Sequence, residues 1–205
     1  MIEDFFATVE ARWPAGRADL HWHLLFPPEQ VEELLTAPYR EITHRPGLAP
    51  VEARWVHTTV MHGGPTAEYL PGEIDAILDR VRQECREVGP IDFTFDRPSP
   101  GRVAVECAAR PGEPGRRLWE LTTRIDQEVT GSRFPVLPRS WYPHSTLAYG
   151  VAGPDRAERQ TMKVLLSDHP GEPVVLRADT LVLVSQSHDR KFITWERLAE
   201  VKLGS

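Results

Sequence analysis

An α+β fold built on antiparallel sheets is what this sequence predicts, and three observations carry it. Short runs rich in β-branched and aromatic residues alternate polar with apolar positions, as half-buried strands do. Helical stripes stand between them without the regular strand-helix-strand beat of a parallel sheet. Two strand pairs, residues 91–95 with 102–108 and 180–185 with 192–203, are joined by connections short enough only for hairpins.

Ile2 to Trp13 spaces Phe5, Phe6, Val9 and Trp13 as one helical stripe, and Pro14-Ala15-Gly16 stops it. Residues 19–26 read as the first strand, closed by Pro27-Pro28. Its His21 and His23 share a face, spaced as strand metal ligands can be. No third ligand motif stands near them, so packing or surface polarity is the competing account. A short helix over 29–35 carries Val31, Leu34 and Leu35, and residues 38–50 form a proline-punctuated connection. A strand over 51–61 should end at Gly63-Gly64-Pro65, with His62 solvated at its edge.

Residues 73–88 form the clearest helix, with Ile74, Ile77, Leu78, Val81 and Cys85 on one stripe and Gly89-Pro90 as the stop. The hairpin 91–95/102–108 turns at 98–101. After a Pro/Gly loop, a helix over 118–129 presents Leu118, Leu121, Ile125 and Val129, and residues 131–140 lead into a second polar-faced strand. A helix over 154–166, a strand from Val174, the buried strand 180–185 and its partner 192–203 complete the chain. Ser187-His188-Asp189-Arg190 reads as turn chemistry rather than as an activated histidine.

With 205 residues the chain can bury one core, or one core shared by two lobes, but not two ordinary domains. No apolar run approaches the ~20 residues that span a bilayer. Met1-Ile2-Glu3-Asp4 lacks the basic start and long apolar run of a signal peptide, and the two cysteines, Cys85 and Cys107, read as reduced structural thiols. The expected location is the cytoplasm. A net charge of −6 argues against a protein that coats long nucleic acid. Residues 97–139, however, carry +3, from eight arginines including Arg139, while the remainder carries −9. Such a region suits a short anionic ligand as well as ordinary surface charge.

The chemistry concentrates in two tetrapeptides, His57-Thr58-Thr59-Val60 and His144-Ser145-Thr146-Leu147, 87 positions apart. Alternation along a strand puts His57 and Thr59 on one face and Val56, Thr58 and Val60 on the other. In the same way His144 and Thr146 look one way, and Ser145, Leu147 and Tyr149 the other. In-line displacement at phosphorus needs a base on one side and an acid on the opposite side, and histidine titrates close enough to neutrality for either role. A hydroxyl two residues along can donate to a non-bridging phosphate oxygen. Trp55 and Tyr142 each stand two positions before a histidine and are candidates to stack on a base, although for a lone tryptophan such as Trp55 core packing is the more common fate.

This pairing resembles the two-histidine phosphoesterase superfamily, in particular its 2′-5′ RNA ligase-like and cyclic phosphodiesterase branches. The resemblance implies a single bilobal, pseudo-twofold α+β domain over residues 1–205, its antiparallel sheets lining a central cleft with helices outside. One half would span about 19–95 and the other about 96–203, preceded by an extra helix at about 2–13 that departs from the family pattern. It also implies catalytic His57 and His144, phosphate-binding Thr59 and Thr146, and neither metal nor cofactor. The substrates would be RNA ends or nucleotides bearing a cyclic phosphate or a 2′-5′ linkage, with no membrane partner. By the same analogy His57 would be the acid that opens the cyclic ring and His144 the base. ATP-dependent ligation finds no support, because none of the three lysines sits in a Lys-x-Asp-Gly pattern. The rival readings are a non-catalytic module that holds a nucleotide or RNA end, and a metal hydrolase built on His21 and His23.

Overall fold

The computed structural model describes residues 1–136 and 140–204. In chain order the elements are α1 (Phe5–Val9), β1 (Asp19–Leu24), α2 (Pro28–Val31), α3 (Arg40–Thr43), β2 (Leu48–Pro50), β3 (Thr58–Pro65), α4 (Glu73–Glu84), β4 (Ile91–Phe95) and β5 (Ser99–Pro100). There follow β6 (Ala104–Arg110), α5 (Gly112–Thr130), β7 (His144–Gly150), α6 (Arg159–Asp168), β8 (Val174–Ala178), β9 (Thr180–His188) and β10 (Ile193–Lys202). The strands build two antiparallel sheets, one ordered β10-β9-β1-β3 and the other β2-β7-β6-β4-β8, with β5 paired to β6. This is the expected α+β architecture, two sheets facing across a cleft with the helices α4 and α5 packed behind the first sheet.

The sheets do not divide the chain near residue 95. β9 and β10 complete the first sheet, while β2 and β4 come from the first half of the sequence and join the second. The reason lies in Leu181-Val182-Leu183-Val184, buried on both faces. Such a strand needs neighbours on both edges, and β1 and β10 supply them.

The first motif strand also differs from its sequence reading. Ala53–Trp55 form a 3₁₀ turn, so β3 begins only at Thr58, and it runs through Gly63 and Gly64 to Pro65. These glycines mark close approach rather than an end. A Cβ on Gly63 would come within 2.6 Å of the Leu20 carbonyl oxygen, and one on Gly64 within 2.1 Å of the Phe134 ring. α1 is shorter than its apolar stripe, although Trp13 N–H still reaches the Val9 carbonyl at 2.8 Å. Asp4 caps it, accepting from the Phe6 and Ala7 amides. His188 ends β9 instead of lying in a turn. Its Nε2–H donates to the Trp13 carbonyl at 2.8 Å and its Nδ1 accepts from the Arg190 amide, so it ties the α1 segment to the first sheet.

The main core is continuous behind both sheets. Leu20, Trp22, Leu24, Val60, Met61, Leu181 and Leu183 from the first sheet meet Ile77, Val81, Leu118 and Ile125 of the helices, and Phe93, Phe95, Val105, Cys107 and Leu147 extend it behind the second. Each such side chain contributes about 1.5–3 kcal/mol on burial, which leaves the opposite faces of the sheets free to carry polar groups. A second, smaller cluster sits on those opposite faces: Phe6, Val9, Trp13, Ala104, Tyr149 and Ile193.

Candidate active site

The two histidines are held in the same way. His57, just before β3, donates from Nδ1 to the Trp55 carbonyl at 2.9 Å. His144, the first residue of β7, donates from Nδ1 to the Tyr142 carbonyl at 2.8 Å. Each lock reaches back two residues to the main chain, fixes the ring plane and leaves Nε2 as the reactive nitrogen. Behind them the middle residues of the motifs join. Thr58 and Ser145, both fully buried, lie with their hydroxyl oxygens 2.9 Å apart, and Ser145 Oγ donates to the His57 carbonyl at 3.0 Å. Because the Ser145 proton is committed to that carbonyl, Thr58 must be the donor between the two hydroxyls. The Trp141 indole N–H adds a second tie, to the Thr59 carbonyl at 2.8 Å. The face that sequence alternation assigns away from the chemistry is thus the one that brings the two motifs together.

Beyond the threonines, strict alternation fails in both strands and in the same place. β3 breaks register against β1 between Trp22 and His23, which pair with Met61 and Thr59, so Val60 is the extra residue. Val60 and Met61 both enter the main core, and His62 returns to the cleft face against His21. β7 breaks register against β6 between Val105 and Glu106, so Leu147 is the extra residue. Leu147 and Ala148 both enter the core, and Tyr149 returns to the cleft side, packed in the smaller cluster. Alternation had placed Tyr149 with Ser145 and Leu147; one bulge reverses it. The cleft is therefore lined by three successive pairs: His57 and His144, Thr59 and Thr146, His62 and Tyr149.

The pseudo-symmetry stops at the surroundings of the histidines. His57 is half-buried, with the His23 ring stacked on it at 4.1 Å and 19° and Trp195 edge-on at 4.7 Å. Desolvation holds its imidazole down at about 4, the lock to Trp55 pulls the other way, and a charge on His144 would push it further down. His21 and His23, both buried, are held well below the ordinary histidine range by the same loss of water. Neither ring nitrogen of His23 finds a polar partner. Among the described residues no group of three or more His, Cys, Asp or Glu side chains is placed to hold a metal ion. His144 is different: its Nε2 lies 3.9 Å from the Glu106 carboxylate, and the exposed Tyr142 ring stacks on it at 5.1 Å and 24°. Burial, with the Glu106 carboxylate nearby, holds the Tyr142 hydroxyl above its ordinary range.

Trp55 does not occupy a strand position beside His57. Its ring packs edge-on to Trp195 at 4.8 Å under the Arg54 guanidinium. Sequence reasoning missed Glu106, Trp195, Thr58 and Ser145 as parts of the site. The hydroxyls at the second position of both motifs were the available signal; Glu106 and Trp195 come from distant strands and left none. Among the arginines of the basic segment, Arg110, Arg116, Arg117, Arg124 and Arg133 are paired with carboxylates, while Arg139 falls outside the described residues.

Two antiparallel sheets meeting at paired His-x-Thr strands define a two-histidine phosphoesterase fold. The family model of the 2′-5′ RNA ligase superfamily matches residues 27–190, and the chain belongs to that family. Among solved structures it is similar to TT0787 of Thermus thermophilus, at 20% identity and a TM-score of 0.67 over 91% of this chain and 98% of that one. It is also similar to a structure described as a phosphoesterase, at 17% identity and a TM-score of 0.64 over 92% and 99% of the two chains. A third is E. coli LigT complexed with 3′-AMP, at 18% identity and a TM-score of 0.62, again over 92% and 99%. No curated protein matches the chain. Among the described residues no helix is long and apolar enough to cross a membrane.

Proposed function

We propose that this protein is a metal-independent phosphodiesterase that hydrolyses, or reversibly ligates, a 2′,3′-cyclic phosphate or 2′-5′ phosphodiester at an RNA end or in a nucleotide. The observation that carries this reading is the pair of identically locked imidazoles, each with Nε2 free and a threonine two residues on. Water attacks phosphorus, one histidine takes its proton, the bond to the departing ribose oxygen breaks, and the other histidine protonates that oxygen. Thr59 and Thr146 donate to the non-bridging oxygens, and Tyr142 offers an exposed ring to a base. Family membership supports phosphoester chemistry, and the LigT complexes with 3′-AMP, ATP and phosphate support a nucleotide-sized ligand.

The surroundings favour His57 as the base and His144 as the acid, the reverse of what the family resemblance implies. A desolvated His57 stacked on an uncharged ring enters the reaction neutral. A protonated His144 has the Glu106 carboxylate for a counter-charge. The test is product analysis of 2′,3′-cyclic nucleotides with wild type, His57→Ala and His144→Ala, with and without a chelator. Conversion to a monophosphate by wild type alone, unaffected by chelation, is the expected result. Binding without turnover in wild type would instead identify a non-catalytic module, and loss on chelation a metal hydrolase.

A further inference from the structure

The N-terminal segment occupies the cleft. α1 and the turn after it fill the space beyond the third pair of cleft residues. Phe5 and Phe6 lie 4.7 and 5.5 Å from the Tyr149 ring of the second sheet. Phe6 also lies 5.2 Å from His188 of the first, and Trp13 packs at 4.5 Å from His188 and 6.2 Å from His21. Backbone bonds fasten the same segment to both sides: Glu3 N–H to the Arg102 carbonyl beside β6, and Gly16 N–H to the His188 carbonyl on β9. A Cβ on Gly150, the last residue of β7, would come within 2.2 Å of the Glu3 carbonyl oxygen, so the strand end is shaped to receive this chain. The segment is seated between the two sheets.

We infer that the N-terminal segment closes one end of the cleft and selects substrates with a nucleoside on only one side of the phosphorus. The inference rests on the proposed phosphodiesterase reading and narrows it: a 2′,3′-cyclic phosphate at a terminus fits, whereas a 2′-5′ linkage between two nucleosides does not. The phosphate sits at the histidine and threonine pairs. On one side the cleft opens toward the exposed Tyr142 and toward Trp55; on the other, Tyr149 backs directly onto Phe5 and Phe6, beside an exposed His62 that abuts His21. Phe5 and Phe6 act here as specificity determinants, remote from the reacting atoms.

The test measures kcat/KM on a 2′,3′-cyclic mononucleotide and on a 2′-5′-linked dinucleotide for wild type, Phe6→Ala and the gentler Phe5→Ala, whose ring is only half-buried. Binding of 3′-AMP and of the dinucleotide is measured in parallel by calorimetry. Wild type should prefer the cyclic substrate by at least a hundredfold and bind 3′-AMP more tightly than the dinucleotide. The variants should narrow both ratios at least tenfold by gaining on the dinucleotide. Equal handling of the two ligands by wild type, or variants that lose on both alike, would overturn the inference. If wild type turns over neither substrate, the phosphodiesterase reading fails, and the binding ratios alone then decide whether the cleft end is closed. Should Phe6→Ala not fold, Phe5→Ala gives the same comparison.

Discussion

Removing the hydroxyl pair that joins the two motifs should reveal which partner donates. Thr58→Val deletes the donor, but Ser145 Oγ still donates to the His57 carbonyl, so no buried polar group is stranded. One hydrogen bond lost between groups that are otherwise satisfied costs about 1 kcal/mol. Ser145→Ala is worse, because it strands the fully buried Thr58 hydroxyl and leaves the His57 carbonyl without that donor. The expected cost is about 2–3 kcal/mol. In the double variant the Thr58 hydroxyl is no longer present to be stranded, so the combined loss should fall short of the sum by about 1 kcal/mol. Urea denaturation of the four proteins closes the cycle. Activity should follow the same order, since the Ser145 hydroxyl holds the main chain of His57 itself, and a small displacement there lowers kcat/KM on the order of tenfold. Equal destabilisation by the two single variants, or strict additivity, would refute the donor assignment.

Acidification below about pH 6.5 should destabilise the fold through its buried histidines. His21, His23 and His57 refuse protons in the folded state that the unfolded chain accepts below about pH 6.5, so stability falls with pH by up to ~1.4 kcal/mol per unit for each. The urea midpoint should drop between pH 7 and 5, and His23→Phe should flatten the drop; an unchanged slope in that variant would contradict the account. Glu106→Gln removes the carboxylate 3.9 Å from His144 Nε2 and should lower kcat/KM on a 2′,3′-cyclic nucleotide on the order of tenfold. A rate equal to that of wild type would show that this carboxylate takes no part in the reaction. Cys85 and Cys107 are buried, and burial pushes both thiols up to about 12, so a thiol reagent should label neither until denaturant is added. Labelling at the rate of a free thiol in the native protein would show those positions to be open.

What the sequence made legible was local. His-x-Thr on a strand needs only period two, so the shared faces of His57 with Thr59 and of His144 with Thr146 followed from spacing. The bulges at Val60 and Leu147 did not, because a bulge is a property of two strands in register, and the partners β1 and β6 lie far away in sequence. Tyr149 was misplaced for that reason, whereas His62 is exposed, as its place at the strand edge implied. For His21 and His23, packing was one of the accounts their spacing left open, but nothing local says that His57 will stack on one and His62 abut the other. Gly63 and Gly64 looked like a terminus because crowding by Leu20 and Phe134 is a tertiary fact. The role of α1 was open in the same way: its stripe predicts that Phe6, Val9 and Trp13 are buried, but not against what.

The crossbar between Thr58 and Ser145, with the Trp141 tie beside it, has a mechanical consequence. A molecule pinned at its waist by dry polar bonds has no hinge there, so the two sheets are not free to clap shut over a ligand and reopen to let it go. Reactant and product must pass sideways through a gap of fixed width, and turnover should depend little on solvent viscosity beyond simple diffusion.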